Sequence, residues 1–346
     1  MSNRCSIACI IPPVLLEELL RRGSAEERDA LLRTLSLDAG LRTARVHNSL
    51  TGARVNRATV RQSVTAGQPQ RTIFDCHGLE PPSDPDQVRA EGDPASDDVT
   101  VNEAYDGLGD TYAFYWEQFQ RDSIDAQGMP LAGLVHYGTE YDNAFWDNAG
   151  HMFFGDGDGR LLTETTAGID VIGHELTHGV TQHEANLVYS GQSGALNESI
   201  SDVFGIQVKQ MALGQDVATS DWLIGADIVG PELQPALRSM KDPGHANPHD
   251  DQPADMDGYV DGGDVHTNSG IPNRAFCVVA TELGGNSWDA AGPIWYATLC
   301  DPQLRSDASF SDFARLTLVQ AQRRYGSAAK EVDAVRKGWD TVKVSV

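Results

Sequence analysis

Two histidines and a glutamate in VIGHELTHGV, residues 171 to 180, have the types and spacing to do chemistry. A helix advances about 3.6 residues per turn, so His174 and His178 project from one face and both imidazoles can reach a single ion. Glu175 points in a neighbouring direction, where it can touch a water on that ion without binding the ion itself. Two histidines do not complete a hydrolytic zinc site, which takes three protein ligands and leaves one position to water. A third donor is offered by SGALNESISDVFG, residues 193 to 205, whose Ala195, Leu196, Ile200, Val203 and Phe204 recur at helical spacing. Glu198 and Asp202 share a face of that second helix, so one carboxylate can bind the metal while the other accepts a hydrogen bond from a ligand imidazole. Without the upstream motif, Glu198 and Asp202 read equally well as two solvated acids on an amphipathic helix. Together the two stretches favour zinc.

HELTH and NLVYSGQSGALNESISD, preceded by NAFW and followed by GGDVHTNSG, resemble the thermolysin family of zinc metallopeptidases. The N-terminal CIIPPVLLEELLRRGS resembles the precursor segment of the protealysin branch of that family. The resemblance runs through nearly the whole chain, with the motifs in the same order. It implies an α+β fold, thermolysin-like, with a β-rich N-terminal lobe, an α-helical C-terminal lobe and the active-site helix between them, preceded by a short helical propeptide. It further implies a metalloendopeptidase made as a precursor, acting on peptide and protein substrates and inhibited by its own propeptide.

Roles follow from the same resemblance. One catalytic Zn2+ would sit on His174, His178 and Glu198, with Glu175 as general base. Tyr189 and His266 would donate to the oxyanion, and Asp261 would hydrogen-bond His266 to fix its orientation. Asp202 matches the acid behind His174, and Asn197 would orient His178 in a similar way. Asn143 and the backbone of Ala144 match contacts to substrate amides, and Arg238 matches the arginine that binds a substrate carbonyl. Leu162, Val171, Ile224, Ile228 and Leu237 would line an apolar pocket. Such a pocket cannot desolvate a charge cheaply, which predicts cleavage on the amino side of Leu, Phe or similar residues.

Departures from the family pattern carry expectations of their own. Asp170 and Asp221 match two ligands of the double calcium site found in many relatives, but Lys209, Leu223 and Ala226 stand where further acids belong. A lysine there supplies positive charge in place of the ion, so Ca2+, the one other metal the resemblance allows, faces a dismantled site. Asp264 replaces a small residue in the GGDVH turn, and NAFWDNAGHM is one residue longer than in relatives. GDGDG, residues 155 to 159, resembles a calcium loop but has Ala167 where the closing glutamate belongs, and reads as a tight glycine turn. The acid-rich stretch from Asp250 to Asp264 reads as a solvated loop.

A chain of 346 residues with net charge −24 can bury a substantial core in two lobes, and its charge opposes binding to nucleic acid or anionic lipid. A monomer is expected. Five cysteines at unrelated spacings imply no disulfide framework. Cys5 or Cys9 as a thiolate on the zinc is the sharper reading of the N-terminal pair; a buried or incidental cysteine is the plainer one and is preferred. No apolar run approaches the roughly 20 residues that span a bilayer. Pro12 and Pro13 interrupt the apolar N-terminus and no secretory signal is read, so secretion is implied by resemblance alone, beside a cytoplasmic precursor.

The elements that must position these residues fall in order. Pro12 and Pro13 start a helix that Gly23 stops, and Ser24 with Glu27 forms a capping box for a second helix to about Leu37. Residues 1–50 make a helical unit, read as a propeptide, with processing in the polar linker between Leu41 and Thr72. Residues 72–188 alternate short strands and turns up to the HELTH helix, and residues 189–346 are mainly helical, including the segment WLIGADIV. Two rivals remain: another hydrolase type with the same His-Glu-His spacing, and a zinc-stabilised protein without activity. The full set of motifs, with Glu175 and His266 both in place, argues against them.

Overall fold

Short β-rich stretches in the first half of the chain build one mixed sheet, which the computed structural model describes along with the rest of residues 9–24, 28–40, 66–80, 84–147 and 150–346. The strands are β1 (Arg71–Asp75), β2 (Asp86–Ala90), β3 (Leu131–Val135), β4 (Ala144–Trp146) and β5 (His151–Phe154), in the order β2-β1-β3-β5-β4. β1, β3 and β5 run parallel, while β2 and β4 are antiparallel to their neighbours. β4 is therefore an edge, with one side of its backbone open to another extended segment.

That edge is taken by the N-terminal segment. Cys9 forms an antiparallel bridge with Phe145, and the chain then turns into α1 (Pro13–Arg22), which has Pro at its first turn and ends at Gly23. A second helical segment, α2, covers residues 28–40. Its described residues start just after the predicted capping box and run a few residues past Leu37; Glu27, the closing residue of that box, lies outside the described residues. Cys5, residues 41–65 of the linker and residues 148–149 of NAFWDNAGHM also lie outside them.

A long helix, α3 (Val99–Phe119), crosses the β-rich lobe where only strands and turns were expected. Its glycines and β-branched residues weaken intrinsic propensity, but Asp98 caps it and a broad apolar face is buried. Behind it lie α4 (Ile169–His183) and α5 (Gly191–Ala212), the two helices that hold the expected metal ligands. They approach closely at Gly173 and Gly205, because a Cβ on Gly205 would stand 2.5 Å from the carbonyl oxygen of Asp170. Glycine at that crossing brings the two ligand-bearing faces within reach of one ion.

The rest of the chain is largely helical: α6 (Val265–Asn268), α7 (Gly270–Leu283), α8 (Ala291–Leu299), α9 (Phe310–Tyr325) and α10 (Lys330–Thr341). Trp295 and Trp339 stack at 6.0 Å in this lobe. The expected α+β architecture, a β-rich lobe joined to an α-helical one, is the one observed. The segment WLIGADIV is not a helix as read from its pattern. It forms β6 (Leu223–Ile224), paired with β7 (Arg238–Ser239), because Gly225 takes φ +69 and turns the chain back. That pairing sets Ile224 opposite Arg238 and carries the arginine into the cleft.

Candidate functional site

His174, His178 and Glu198 converge so that one ligand atom from each lies within 4.8 Å of the others, and all three are buried. The Nε2 atoms of the histidines are 3.0 Å apart, and Glu198 oxygens lie 3.4 and 3.5 Å from them. Nδ1 of His174 meets Asp202 at 2.8 Å and Nδ1 of His178 meets Asn197 Oδ1 at 2.8 Å. With Nδ1–H donating to these oxygens, both Nε2 lone pairs point at each other and at a carboxylate. Such an arrangement asks for a cation. Glu198 Oε2 is buried without a hydrogen-bond partner, as a ligand oxygen would be. Tetrahedral zinc with bonds of about 2.0–2.1 Å spaces nitrogen ligands by about 3.3 Å, close to the separation here. The donor set fits the ion.

Ionisation follows the same wiring. Burial disfavours a charged His174, but the hydrogen bond to Asp202 and the negative charges of Asp202 and Glu198 outweigh it and raise its pKa to about 9. Burial dominates at His178 and lowers its pKa to about 3. Burial opposes ionisation of Asp202 as well, yet Arg238 and His174 hold its carboxyl far below the usual range. Burial pushes Glu175 up to about 8, partly offset by His174. Glu175 Oε2 accepts the Trp146 N–H at 3.1 Å from β4, while its Oε1 is buried and has no hydrogen-bond partner.

Tyr189 and His266 stand beside this centre, 3.4 Å apart through the hydroxyl and Nε2, and the Tyr189 hydroxyl donates to Glu198 Oε1. His266 Nε2 lies 3.4 Å from Glu198 Oε2. The carboxylate at His266 Nδ1 is that of Asp264, where Asp261 was expected. Asp264 Oδ1 meets His266 Nδ1 at 2.7 Å and accepts its backbone N–H at 2.9 Å, whereas Asp261 is exposed in the preceding turn. Asp264 is the N-cap of α6, so the carboxylate that caps the helix also faces the ring two residues on. Residue 264 was noticed only as a departure; its preference for a helix N-terminus was the signal that could have identified it.

Arg238 grips Asp202 through Nε and Nη2, both at 2.8 Å, and Asn273 donates to the same acid at 2.8 Å. Ser201 Oγ, which the sequence reading missed, lies 3.0 Å from His178 Nδ1. With Asn197, Glu198 and Asp202 it forms one polar stripe on a helix otherwise buried among apolar residues, a pattern visible in the sequence. Leu162, Val171, Ile224, Ile228 and Leu237 are all buried in the main core. Ile228 and Val171 both flank Gly168, and the Leu237 N–H bonds the Ile224 carbonyl.

Among the candidates, His266, Arg238, Ala144 and Asn143 engage the N-terminal segment. His266 Nε2 lies 2.8 Å from the Cys9 carbonyl oxygen, and Arg238 Nη1 donates to that of Ile10 at 3.0 Å. The Ile10 N–H bonds the Ala144 carbonyl at 3.3 Å, and Asn143 Oδ1 accepts the Ile11 N–H at 3.1 Å. The Cys9 thiol is not part of the His174, His178 and Glu198 cluster. Buried in an aromatic cluster with Tyr137, Tyr141 and Phe145, it donates to the Ile11 carbonyl. From α2, Asp38 accepts from Tyr141 at 2.6 Å and from Asn143 Nδ2 at 3.3 Å.

At the expected calcium position, Lys209 Nζ lies 3.6, 3.7 and 3.8 Å from Asp170, Asp221 and Asp227 and donates to the Leu223 carbonyl. Its ammonium occupies the centre of the acids. In GDGDG, Gly157 and Gly159 take positive φ, and Asp158 accepts from the N–H groups of Arg160 and Leu161 as the turn closes.

Residues 83–182 match the family model for the thermolysin metallopeptidase catalytic domain, and residues 185–344 match that for its alpha-helical domain. The chain is 46% identical to an extracellular metalloprotease of Pectobacterium carotovorum subsp. carotovorum, over 98% of this chain and 97% of the relative. It is 41% identical to protease PrtS of Photorhabdus sp. (strain Az29), covering 97% and 92% of the two chains. Its fold superposes on the precursor of protealysin, a metalloproteinase from Serratia proteamaculans, with TM-score 0.86 and 45% identity, covering 98% of this chain and 100% of that one.

Proposed function

The chain belongs to the thermolysin family of metallopeptidases, and from that premise we propose how its residues divide the work of cutting a peptide bond. The protein is a zinc-dependent metalloendopeptidase whose metal ligands are His174, His178 and Glu198. Zinc bound there supplies a Lewis acid for the scissile carbonyl and an acidified water.

Glu175 would take a proton from the attacking water and return it to the departing amine. What supports this role is its geometry: one oxygen is pinned by the Trp146 N–H, and the other is buried and unpartnered beside the ligands. His266 faces acceptors at both ring nitrogens, Asp264 and a peptide carbonyl, so an imidazolium satisfies both and opposes negative charge as it develops on the carbonyl oxygen. Tyr189 adds a second donor on the same side. Arg238, Asn143 and the Ala144 carbonyl hold the peptide extended against β4, a mode of recognition by strand addition. The apolar cluster around Leu162, Val171, Ile224, Ile228 and Leu237 receives the residue after the cut, which favours cleavage on the amino side of Leu, Phe and similar residues.

The N-terminal unit, residues 1–50, is read as a propeptide that inhibits in cis, with maturation in the linker 41–72. The observation that supports inhibition is that Cys9, Ile10 and Ile11, all 0% exposed, use the groups a substrate needs. Export is proposed from the relative named as extracellular.

The test is to compare wild type with Glu175→Gln on casein, with and without chelator, while measuring bound zinc. Wild type is expected to cut and to stop on chelation. The variant is expected to keep one zinc and lose at least about 1,000-fold in rate. Equal cleavage by both would overturn the assignment of the base.

A further inference from the structure

The N-terminal segment does more than cover the cleft, because it lies in one defined register. Three consecutive residues engage the cleft in sequence: the Cys9 carbonyl at His266, both polar backbone groups of Ile10 at Ala144 and Arg238, and the Ile11 N–H at Asn143. The direction is set by the antiparallel bridge of Cys9 to Phe145 on β4. Cys9 thus presents its carbonyl to the side chain that adjoins the metal ligands, since the His266 Nε2 that meets it is itself 3.4 Å from Glu198 Oε2. Glu175 hangs from Trp146, the next residue along β4 from Phe145. The residue on the far side of the bond, Ile10, is an apolar side chain with no exposure, buried in the same core that runs through both lobes.

We propose that the Cys9–Ile10 peptide bond occupies the cutting position and is hydrolysed by its own chain, separately from maturation in the linker. This rests on the metalloendopeptidase reading above. One water is consumed: its oxygen adds to the Cys9 carbonyl carbon, and the bond from that carbon to the Ile10 nitrogen breaks. Both water protons end on the nitrogen, one of them carried by Glu175, leaving a Cys9 carboxylate and an Ile10 ammonium. The segment is already seated in the same molecule, so the cut is first order and independent of protein concentration. Ile10 satisfies the apolar preference of the site, and a charged residue there would have to be desolvated.

The experiment uses the full-length chain, purified in chelator and then given zinc, followed by intact-mass measurement and N-terminal sequencing across a wide dilution range. The expected product begins at Ile10, forms with a rate constant unchanged by dilution, is absent from Glu175→Gln, and forms at least about tenfold more slowly in Ile10→Asp. A readout without catalysis accompanies it: in chelated Glu175→Gln, hydrogen exchange is expected to show the Ile10 and Ile11 amides protected, and Ile10→Asp is expected to release them. If the matured enzyme cuts casein while Cys9–Ile10 stays intact, or a different bond of the segment is cut, the inference is overturned and the functional reading stands. If neither casein nor the segment is cut, the functional reading fails as well.

Discussion

The Arg238 guanidinium donates to the Ile10 carbonyl at 3.0 Å, across 228 residues of chain, while its other nitrogens hold Asp202. One side chain therefore links the acid behind His174 to the extended peptide in the cleft. A fork can do both at once; an ammonium cannot.

Arg238→Lys is accordingly expected to keep the charge but lose one of the two engagements. The kcat/KM of the matured enzyme on a leucine-containing peptide should fall about 10- to 100-fold, roughly 1.4–2.7 kcal/mol of transition-state stabilisation. Unchanged kinetics would remove the arginine from substrate binding.

The contrast between two neighbouring acids is equally direct. Asp264→Ala removes the partner of His266 Nδ1 and the cap of α6, so kcat/KM should drop about 10- to 100-fold, whereas Asp261→Ala should stay within about twofold. A pH profile of kcat/KM that shifts in the Asp264 variant alone separates loss of imidazole orientation from loss of fold.

Lys209 replaces a bound ion with a tethered one. Stability should not respond to calcium or to a calcium-selective chelator, and Lys209→Met, which strands the fully buried Asp170, should cost about 3–5 kcal/mol. Thermal melts with zinc held constant check both statements. A calcium-dependent rise in the wild-type Tm would contradict the first.

His136 joins Asp156 to Asp98, the N-cap of α3, at 2.9–3.0 Å through its two ring nitrogens. The hydrogen bond to Asp156 dominates, burial opposes it and Asp98 adds to it, raising the pKa to about 9. A raised folded pKa contributes stability in full below the unfolded value of about 6.5, and that contribution is lost as pH rises through about 9. The ring is partly exposed, so the contribution is of the order of 1 kcal/mol. Denaturant unfolding from pH 6 to 10 should show this loss in wild type and a flatter profile in His136→Gln.

Much of the site was legible because its chemistry is written locally. His174, Glu175 and His178 stand within one helical turn and a bit, and Glu198 with Asp202 within another, so helix periodicity alone aligns them. Asp264 escaped because a helix of four residues has too little periodicity to be read, which left Asp261 as the nearer match by resemblance. The α3 helix escaped for a different reason: its stability comes from a buried face, not from propensity.

By itself the sequence determined which residues could hold a metal, which could move a proton and which lobe would carry them, since these depend on side-chain type and short-range spacing. Only the tertiary structure decided that Gly173 and Gly205 let two helices meet, that Lys209 would sit among three acids, and that Cys9 and Ile10 would lie along β4. Those are pairings between residues tens to hundreds of positions apart. No local period encodes them, because they arise from packing, where burial and backbone hydrogen bonding select one partner among many.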